Sequence, residues 1–454
     1  MYSKLFRNVI FSVTEISHGT KIQKYMKWLN KTQWWKPEEL EELQNKKLRA
    51  LIKHAYDNVP YYHQLFRKLD FKPEDIKKKE DLTKLPILTK SIAQKNYPAG
   101  LRAKNSSNKN ILPWSSGGST GQPVQFFRDK NELSFDWAAA FRGWGWAGYE
   151  LGDRYATLWD SPVVVTKHKK YLKQIEDRVR RNLFSSIYSL DNRSMDIFIE
   201  KLRKHKPKII RGYSNSIFLL AEFMRSKEIC DINPKAILTT SDTLFRYRRE
   251  RIESQFKCTV FDGYGGGEAP AAAYECGEHE GYHISAENMI LEFIKDNEQV
   301  SQGEMGKILI TNLNSHAAPF IRYEIGDIGK PSNELCPCGR GLPMIESIEG
   351  RINDFIVTPE GKAIHSYFFP ELFKDMHSVK QFQVIQESKE KLLIKLVKTQ
   401  DFSDKDGNFI ISNVRKLVGD EMKIETEFVN SIPVTGSGKR RFVISKVPID
   451  VLWK

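Results

Sequence analysis

The sequence lacks the long apolar runs of a membrane protein. No stretch approaches the ~18 uninterrupted apolar residues that a spanning helix needs. The apolar run within residues 1–13 is short, is interrupted by polar residues and has no small-residue cleavage site, so we expect no secretory signal. Internal repeats and low-complexity tracts are also missing. Cysteine is scarce, with 5 residues in 454 and no sign of a disulfide scaffold, which favours a reducing cytoplasm.

Acidic residues are fewer than basic ones, 57 against 71, and the formal net charge is +14. Much of the excess lies in two clusters: one between Lys167 and Arg211, with Lys169, Lys170, Lys173, Arg178, Arg180, Arg181, Arg203, Lys204, Lys206 and Lys208, and one with Arg246, Arg248, Arg249 and Arg251. One interpretation is a solvated basic face. The alternatives are attraction of polyanions such as ATP, CoA or a nucleotide-sugar, or contact with anionic lipid. No nucleic-acid module accompanies the charge, so we expect no nucleic-acid partner.

The length of the chain predicts two or more domains, because 454 residues exceed what one core normally serves. From Trp114 onward, short apolar strands alternate with amphipathic stretches, which predicts an α/β fold with layered, largely parallel sheets. Residues 306–311 and 319–323 indicate a β-rich subdomain. After Arg351 the pattern changes to a small α+β module of about 100 residues. We therefore expect a large domain over residues 1–350 and a small one over residues 351–454.

Five short segments in a fixed order along the chain favour a nucleotide site. They are residues 115–121 (SSGGSTG), 263–268 (GYGGGE), 323–327 (YEIGD), 350–351 (GR) and 437–439 (SGK). The backbone N–H groups of a Ser/Thr/Gly run can curl around phosphate oxygens. This run is not the P-loop motif of kinases and GTPases, so that interpretation lacks support. The other segments supply a carboxylate for Mg²⁺, an aspartate for the ribose hydroxyls, an arginine and a lysine. Together the five segments predict a site that binds ATP and cleaves it.

The order and spacing of these segments resemble the adenylate-forming superfamily of acyl-CoA synthetases and adenylation domains. Within it, the chain is most similar to phenylacetate-CoA ligase and to its relatives in capsular polysaccharide biosynthesis. Further signatures of that branch are residues 48–62 (LRALIKHAYDNVPYY), 85–90 (LPILTK), 152–154 (GDR) and 319–323 (PFIRY). The resemblance covers about residues 36–450 and leaves only the extreme N-terminus unexplained.

This resemblance implies an AMP-forming acid ligase that makes an acyl-adenylate from a carboxylic acid and ATP. It implies a phosphate loop formed by Ser115, Ser116, Gly117, Gly118, Ser119, Thr120 and Gly121. Tyr264, with Gly265 beside it, would stack on adenine, and Glu268 would help to hold Mg²⁺. Asp327 would accept hydrogen bonds from the ribose hydroxyls.

The resemblance also assigns a catalytic lysine to the small domain. Lys439 would bridge the substrate carboxylate and the α-phosphate, and Arg351 would meet an anion. A compact ammonium at that position stabilises the negative charge that builds at phosphorus more than it stabilises the ground state. In this superfamily the small domain swings away before the second half-reaction, so a mobile loop suits Lys439.

The chain departs from the superfamily pattern at two positions. Residues 121–124 (GQPV) lack the lysine that is common in the wider superfamily, although the phenylacetate-CoA ligase branch often lacks it too. Two residues after Arg351, where the superfamily usually keeps a hinge aspartate, the chain has Asn353 followed by Asp354. The position of the hinge therefore stays open.

The cysteines contain a separate signal. Cys336 and Cys338 are one residue apart, and Cys276 is followed by His279 and His283. Three thiolates and one imidazole would supply tetrahedral ligands for structural zinc. Either histidine could complete the set, and His283 is favoured because residues 281–284 (GYHI) resemble a family segment. The alternative is that the three cysteines are buried core residues and the histidines ordinary surface residues.

An aromatic run follows the phosphate loop, namely Phe135, Trp137, Phe141, Trp144 and Trp146. Some of these side chains could line the cavity for the carboxylic acid. At this spacing, however, aromatic residues more often pack a helix into the core. The run does not identify a substrate.

The N-terminal segment is basic and aromatic. It contains Lys4, Arg7, Lys21, Lys24 and Lys27 together with Phe6, Ile10, Phe11, Tyr25, Trp28, Trp34 and Trp35. One hypothesis is weak peripheral contact with an anionic membrane by an otherwise cytoplasmic protein. The alternative is an arm that packs on the large domain.

Three functions remain after these considerations. In the first, the acyl group passes from the adenylate to an acceptor, with CoA as the leading one by analogy. In the second, adenylation serves acylation of an amino-sugar or another polysaccharide precursor. In the third, the protein is a nucleotide-binding scaffold without turnover, against which the retention of Glu268, Asp327, Arg351 and Lys439 argues. The sequence predicts ATP and Mg²⁺ as cofactors and leaves the acid, the acceptor and the oligomeric state open.

Overall fold

The computed structural model describes residues 5–116, 124–159, 174–186, 192–351, 355–360, 363–365, 368–373, 376–433 and 441–447. The chain divides into two compact units, Met1–Glu349 and Gly350–Lys454. Lys167, Lys169, Lys170 and Lys173 of the first basic cluster lie outside the described residues. No helix in the described ranges is long and apolar enough to cross a membrane.

The helices of the first unit begin with a π-helical turn, Phe6–Ile10, and include two 3-10 helices, Pro73–Asp75 and Lys79–Lys84. The α-helices are α1 (Phe11–His18), α2 (Ile22–Thr32), α3 (Pro37–Asn58), α4 (Pro60–Lys68), α5 (Lys90–Asn96), α6 (Lys130–Trp146), α7 (Asn192–His205), α8 (Ser214–Ser226) and α9 (Arg246–Phe256). Helix α3 begins where Pro37 follows an extended Lys36, whose N–H donates to Glu39 Oε2 at 2.9 Å. It ends before Pro60, which opens α4 because proline cannot continue a helix interior.

Strands β1 (Ile111–Ser115) and β2 (Gln125–Asp129) form an antiparallel hairpin. The remaining strands of the first unit are β3 (Tyr155–Trp159), β4 (Asn182–Ser186), β5 (Ile209–Tyr213), β6 (Ala236–Thr240), β7 (Thr259–Tyr264), β8 (Ala273–Tyr274), β9 (Tyr282–Ile284), β10 (Met289–Lys295), β11 (Glu298–Gln299), β12 (Gly306–Asn312), β13 (Tyr323–Ser332) and β14 (Met344–Arg351). Within the described ranges these twelve form one sheet in the order β11-β10-β12-β13-β14-β9-β8-β7-β6-β5-β3-β4.

The sheet has a parallel half and a largely antiparallel half. Strands β4, β3, β5, β6 and β7 pair in parallel. From β7 onward, β8, β9 and β14 pair antiparallel, as do β13, β12, β10 and β11. The parallel pairing predicted from the alternating pattern is therefore present over five strands, and the β-rich subdomain extends the same sheet.

Successive residues of the parallel strands are buried on opposite faces. Ile209 and Leu238 belong to a hydrophobic cluster with α1, α2 and α6, whereas Ile210 and Ile237 belong to a cluster with α7, α8 and α9. Side chains alternate between the two faces of a strand, so each face binds its own layer of helices. Helices on both faces of a parallel sheet define an α/β architecture.

The second unit is a small α+β module. It contains β15 (Phe355–Val357), β16 (Ala363–His365), α10 (Phe368–Phe373), β17 (Val379–Ser388), β18 (Lys391–Lys398), α11 (Asp404–Val418), β19 (Lys423–Phe428) and β20 (Val443–Ser445). Strands β19-β18-β17-β20 form a sheet, on which Ile410 and Val414 of α11 pack against Leu392 and Ile394 of β18. The predicted fold class, a large α/β part followed by a small α+β part, is confirmed.

Candidate active site

The first of the five segments lies at the end of the β1–β2 hairpin. The N–H of Ser116 donates to the carbonyl of Val124 at 2.9 Å, and the N–H of Val124 donates to Ser116 Oγ at 2.8 Å. These bonds fix Ser115 and Ser116 at the mouth of the loop. The other predicted phosphate-loop residues, Gly117, Gly118, Ser119, Thr120 and Gly121, lie outside the described residues.

The second segment follows β7 at the carboxyl edge of the parallel strands, where α/β folds place ligand sites. A Cβ added to Gly267 would lie 3.1 Å from Ser116 Cα and 3.3 Å from the carbonyl oxygen of Ser115. A side chain at this position would press on the backbone of the first segment. Glycine at 267 thus lets the two loops meet, and the structure brings the first two segments together.

The third segment joins the second through two side-chain contacts. Tyr264 Oη donates to Asp327 Oδ2 at 2.9 Å. Tyr323 Oη donates to Glu268 Oε1 at 3.4 Å. Asp327 is 9% exposed. Three of the five segments therefore surround one place at the edge of the sheet.

The last two segments belong to the second unit. Arg351 is the final residue of β14 and is partly exposed. Lys439 and both hinge alternatives, Asn353 and Asp354, lie outside the described residues. The roles predicted for these four residues therefore stay predictions.

A pair of buried carboxylates supports the second segment, and sequence reasoning missed it. Asp262 Oδ1 accepts a hydrogen bond from Thr239 Oγ1 at 2.5 Å, and Asp262 Oδ2 accepts one from Tyr282 Oη at 2.9 Å. Burial, together with the nearby charge of Glu275, raises the pKa of Asp262 to about 7. The available signal was an acid two residues before Tyr264 in an otherwise apolar strand, residues 259–264 (TVFDGY).

Glu275 keeps its charge beside this aspartate because a cation faces it. Burial opposes ionisation of Glu275, but bonds from His279 and Arg249 hold its pKa below the usual value. Arg249 Nη2 donates to Glu275 Oε1 at 2.6 Å. The Asp262–Glu275 pair thus combines one acid that favours protonation with one that stays ionised.

The structure brings together the four residues predicted to bind metal. The ligand atoms of Cys276, His283, Cys336 and Cys338 all lie within 4.8 Å of one another. Cys276 Sγ is 3.6 Å from Cys336 Sγ, and Cys338 Sγ is 3.4 Å from His283 Nε2. Tetrahedral zinc with its usual bond lengths would separate such ligand atoms by roughly 3.5–3.8 Å. The donor set and its spacing therefore fit a zinc ion.

The histidine alternatives separate clearly. His283 is 1% exposed, and burial, assisted by the charges of Arg340 and Arg142, lowers its pKa to about 4. Its imidazole is therefore neutral at pH 7, which is the form that ligates a metal. His279 instead lies over the ring of Phe261 and contacts Glu275 Oε2 at 3.4 Å. The cluster includes His283 and not His279.

The Cys336–Cys338 loop also holds the connection between α2 and α3. Arg340 lies between the rings of Trp34 and Trp146, at 4.8 and 4.7 Å from their centroids. A Cβ at Gly341 would lie 1.9 Å from the carbonyl oxygen of Trp35, so the two backbones are in close contact. The loop that carries Cys336 and Cys338 thus packs against the connection between α2 and α3.

Most of the aromatic run packs α6 into the core. Phe135, Phe141 and Trp144 are at most 8% exposed, whereas Trp137 is 36% exposed. Trp146 contacts the imidazole of His283 with a centroid distance of 5.2 Å. The core interpretation of this run therefore describes most of its members.

The N-terminal arm packs on the first unit, which corrects part of the membrane hypothesis. Phe6 and Phe11 are each 3% exposed and belong to the cluster with α6. Tyr25 stacks on Phe135 with a centroid distance of 3.8 Å. These aromatic side chains are unavailable to a bilayer because α6 covers them. The described apolar residues of the arm that are exposed are Leu5, Val9, Val13 and Ile16, together with Trp34 and Trp35 at its end.

The second basic cluster, formed by Arg246, Arg248, Arg249 and Arg251, is not a solvated face. Arg248 is 2% exposed, and its guanidinium lies 5.0 Å from the ring centroid of Phe245. Arg249 binds Glu275, and Arg251 Nη1 lies 3.0 Å from Glu222 Oε1. Only Arg246 of the four is fully exposed, with 85% of its side chain accessible. Much of this charge is therefore neutralised within the protein.

Comparison with known proteins supports the sequence resemblance. The phenylacetate-coenzyme A ligase of Pseudomonas putida is 27% identical over 328 residues, which cover 70% of this chain and 72% of that protein. The corresponding ligase of Escherichia coli (strain K12) is 24% identical over 357 residues, covering 76% and 79%. The chain is a homologue of the phenylacetate-coenzyme A ligases. The predicted relationship to these ligases is confirmed.

Three further similarities concern Protein CapK, a C-terminal domain family and a solved ligase structure. Protein CapK of Staphylococcus aureus is 26% identical over 416 residues, which cover 90% of each chain. Residues 356–446 match the family described as the CapK C-terminal domain. Among solved structures, 2-hydroxyisobutyryl-CoA ligase in the postadenylation state superimposes with a TM-score of 0.72 at 19% identity, covering 89% of each chain. This last similarity establishes the shared fold.

Proposed function

We propose that the protein is an ATP-dependent, AMP-forming acid ligase. A carboxylic acid attacks the α-phosphorus of ATP to give an acyl-adenylate and pyrophosphate, and an acceptor then takes the acyl group and releases AMP. The observation that carries this proposal is the convergence of the Ser115–Ser116 backbone, the Gly267 loop and the Tyr264–Asp327 pair at one edge of the sheet. The homology to phenylacetate-coenzyme A ligases supports the same chemistry.

The residues of the first unit bind and orient the nucleotide in this proposal. Tyr264, with Gly265 beside it, stacks on adenine, and Asp327 accepts hydrogen bonds from the ribose hydroxyls. The backbone and hydroxyl groups of Ser115 and Ser116 begin the phosphate loop that continues to Gly121. Glu268 is partly exposed and offers carboxylate oxygens, the ligands that Mg²⁺ prefers. Bound Mg²⁺ would neutralise charge on the phosphates.

The residues of the second unit act on the developing charge. Attack by the carboxylate builds negative charge on the α-phosphate oxygens. The ammonium of Lys439 bridges these oxygens and the attacking carboxylate, and the guanidinium of Arg351 binds an anionic oxygen. Lys439 is needed only while this bond forms, so its contribution belongs to the first half-reaction.

The acceptor of the acyl group has two candidates. The names of the related phenylacetate-coenzyme A ligases favour CoA as the acceptor. A specific observation favours a second candidate: the match to Protein CapK covers 90% of the chain, and a CapK C-terminal domain family matches the small unit. In that candidate, the adenylate serves acylation of an amino-sugar or another polysaccharide precursor. An amide bond synthetase from Marinactinospora thermotolerans shares the fold, with a TM-score of 0.51 at 15% identity.

A panel of carboxylic acids tests the proposed reaction. Acid-dependent exchange of labelled pyrophosphate into ATP reports adenylate formation without any acceptor, and Lys439→Ala protein serves as the inactive control. Addition of CoA or of an amino-sugar to the active acid then separates the acceptors by which one releases AMP stoichiometrically. Binding of MgATP without exchange for any acid would favour the scaffold function instead.

We also propose that Cys276, His283, Cys336 and Cys338 hold a structural zinc ion. The ion would join the β8–β9 region to the loop that contacts α2 and α3, and so stabilise the first unit. The ligands come from three separate parts of the chain and are brought together only in the folded protein. The free energy of zinc binding would therefore add to the free energy of unfolding.

A cytoplasmic location with weak contact to an anionic bilayer stays part of the proposal. The exposed residues Leu5, Val9, Val13 and Ile16 recur every three or four positions and thus share one helical face. Lys21, Lys24 and Lys27 are exposed on the following segment. These residues replace the buried aromatic side chains as the membrane-facing set.

A further inference from the structure

Arg211 is held in an aromatic setting on the central parallel strands. It lies on β5, where it pairs with Thr157 of β3 and Leu238 of β6. Its guanidinium carbon is 4.4 Å from the ring centroid of Trp144 and 5.0 Å from that of Trp159. The two indole rings orient the guanidinium by cation–π contacts with its faces. The N–H groups at the edge of the guanidinium can then donate to other partners.

This guanidinium has no anionic partner within the part of the chain that the structure describes. Burial lowers the pKa of Arg211, and the side chains of Tyr155, Tyr274, Tyr149 and Tyr213 oppose this shift. Two buried arginines of the first unit are paired with acids: Arg142 with Glu287 at 2.7 Å and Arg322 with Glu292 at 3.0 Å. Removing a charge from water is costly unless an opposite charge compensates it. Within the described residues, Arg211, which is partly exposed, thus lacks the compensation that these two arginines have.

Arg211 lies on the same sheet as the proposed nucleotide site, on the order of 10–15 Å from it. Its register continues through Leu238 to Phe261, three residues before Tyr264. With the usual strand spacing and rise, Arg211 lies on the order of 10–15 Å from the Tyr264 backbone. Trp159 is the last residue of β3, and its ring centroid lies 4.6 Å from that of Tyr213. Arg211 therefore lies two strands away from β7, the strand that ends at Tyr264.

A continuous aromatic wall connects the two places. A Cβ at Gly143 of α6 would lie 2.4 Å from Tyr274 Cγ, and a Cβ at Gly263 of β7 would lie 2.6 Å from Tyr274 Cε1. The ring of Tyr274 is thus inserted between two glycines. It extends the wall from Trp144, beside Arg211, to the residue before Tyr264. A small substrate bound beside the nucleotide would lie along this wall.

We propose that Arg211 determines the substrate class, and that the acid activated by this protein carries a second anionic group, best matched by a carboxylate. One carboxylate attacks ATP, and the other accepts two parallel hydrogen bonds from the guanidinium edge. The aromatic wall packs against the atoms between them. This inference rests on the proposed ligase function and specifies which carboxylic acids that site accepts.

The wild-type protein supplies the first test. Exchange of labelled pyrophosphate into ATP is measured for a chain-length series of α,ω-dicarboxylic acids and for the monocarboxylic acids of equal length. At least one dicarboxylic acid should show a kcat/KM 10-fold or more above that of its monocarboxylic analogue. A series in which the monocarboxylic acids are better throughout overturns the assignment, and this comparison needs no variant.

Variants then locate the effect. Arg211→Gln should lower kcat/KM for the preferred dicarboxylic acid 100-fold or more, mainly through KM, while the KM for ATP and the activity with the monoamide of the same acid change less than 3-fold. Arg211→Lys keeps the charge without the planar fork and should give an intermediate loss. Arg225→Gln, which removes an arginine on the surface of α8, is the matched control and should resemble the wild type. An equal loss for all acids would show a structural role only.

A binding measurement separates this inference from the proposed function. Thermal unfolding of the wild type and of Arg211→Gln protein is followed with each acid and no ATP. Stabilisation by dicarboxylic acids that disappears in the variant supports the Arg211 site even if no exchange occurs, in which case only the ligase function fails. Exchange with monocarboxylic acids and no stabilisation by dicarboxylic acids leaves the ligase standing and overturns the role of Arg211. Absence of both results contradicts both proposals.

Discussion

The hydroxyl of Tyr264 donates to Asp327 Oδ2 across 2.9 Å and thereby joins two segments that are 63 residues apart. The bond orients the carboxylate that we assign to the ribose. It also limits rotation of the ring that we assign to adenine. The pair is therefore organised before a nucleotide binds, which lowers the entropy cost of binding.

Replacing Asp327 tests this assignment. Asp327→Ala should weaken ATP binding about 100-fold or more, because two charge-assisted hydrogen bonds of ~1.5–3 kcal/mol each would be lost. Titration of MgATP into the protein measures the dissociation constant. Tyr264→Phe, which keeps the ring, should have a smaller effect, and the exposed Asp401→Ala should have none. Unchanged affinity in the Asp327 variant would remove the ribose role.

The catalytic role that we propose for Lys439 predicts a difference between the two half-reactions. Lys439→Ala should lower adenylate formation by several orders of magnitude, because the ammonium stabilises charge that exists only when the acid attacks ATP. Transfer from presynthesised acyl-AMP to the acceptor should stay largely intact. Both rates are measured on the same preparation, with Lys405→Ala on the exposed side of α11 as the control. A similar loss in both halves would contradict the assignment.

The metal cluster predicts about one zinc ion per chain in protein purified without chelator. Elemental analysis checks the content, and Cys338→Ser should reduce both zinc and the midpoint of thermal unfolding. Cys230→Ser is a matched control, since Cys230 is exposed and lies outside the cluster.

The two histidines sharpen the metal test. His283→Asn should lose zinc, whereas His279→Asn should keep it, because only the former contributes to the cluster. A native zinc content in the His283 variant, or none in the wild type, would count against the site.

The grouping of Cys276, His283, Cys336 and Cys338 and the fold class follow from residue types in order, which the sequence alone displays. The Asp262–Glu275 pair does not, because it depends on the antiparallel pairing of β7 with the two-residue strand β8, which has no periodicity to detect. That Arg211 has no acidic partner among the described residues is likewise a tertiary property, since it depends on which acids lie nearby.

The N-terminal arm shows a second limit of sequence patterns. The spacing of Phe6, Phe11 and Tyr25 suits a bilayer and a protein surface equally, since both present an apolar face to a helix. Only the position of α6, 100 residues later, decides which of the two covers these residues.

The buried acid pair predicts a pH dependence of stability. Asp262 has a folded-state pKa of about 7, above its value in the unfolded chain, so the folded protein holds a proton that the unfolded chain has released. The free energy of unfolding should therefore fall as the pH rises from about 4 to about 7. Above pH 7, Asp262 should cause no further decrease. At 1.36 kcal/mol per unit, the effect is on the order of 1–4 kcal/mol. Urea unfolding at pH 5 and pH 8 measures it.

The matched comparison for this effect is Asp262→Asn, which cannot ionise. The difference in unfolding free energy between pH 5 and pH 8 should be smaller in the variant than in the wild type. An identical difference in both proteins would mean that Asp262 titrates normally and that its surroundings do not favour the protonated form.

The exposed stripe of the N-terminal arm predicts weak, salt-sensitive binding to anionic vesicles. Removing residues 1–35 is a poor test, because Phe6, Phe11 and Leu29 would leave the core. Val13→Glu combined with Ile16→Glu changes only exposed positions and should abolish sedimentation with anionic vesicles at low salt. Each basic residue near such a surface contributes ~1 kcal/mol, and salt should weaken the binding. Wild-type protein that stays in the supernatant at low salt would exclude the membrane contact, and binding that the double variant retains would exclude the stripe.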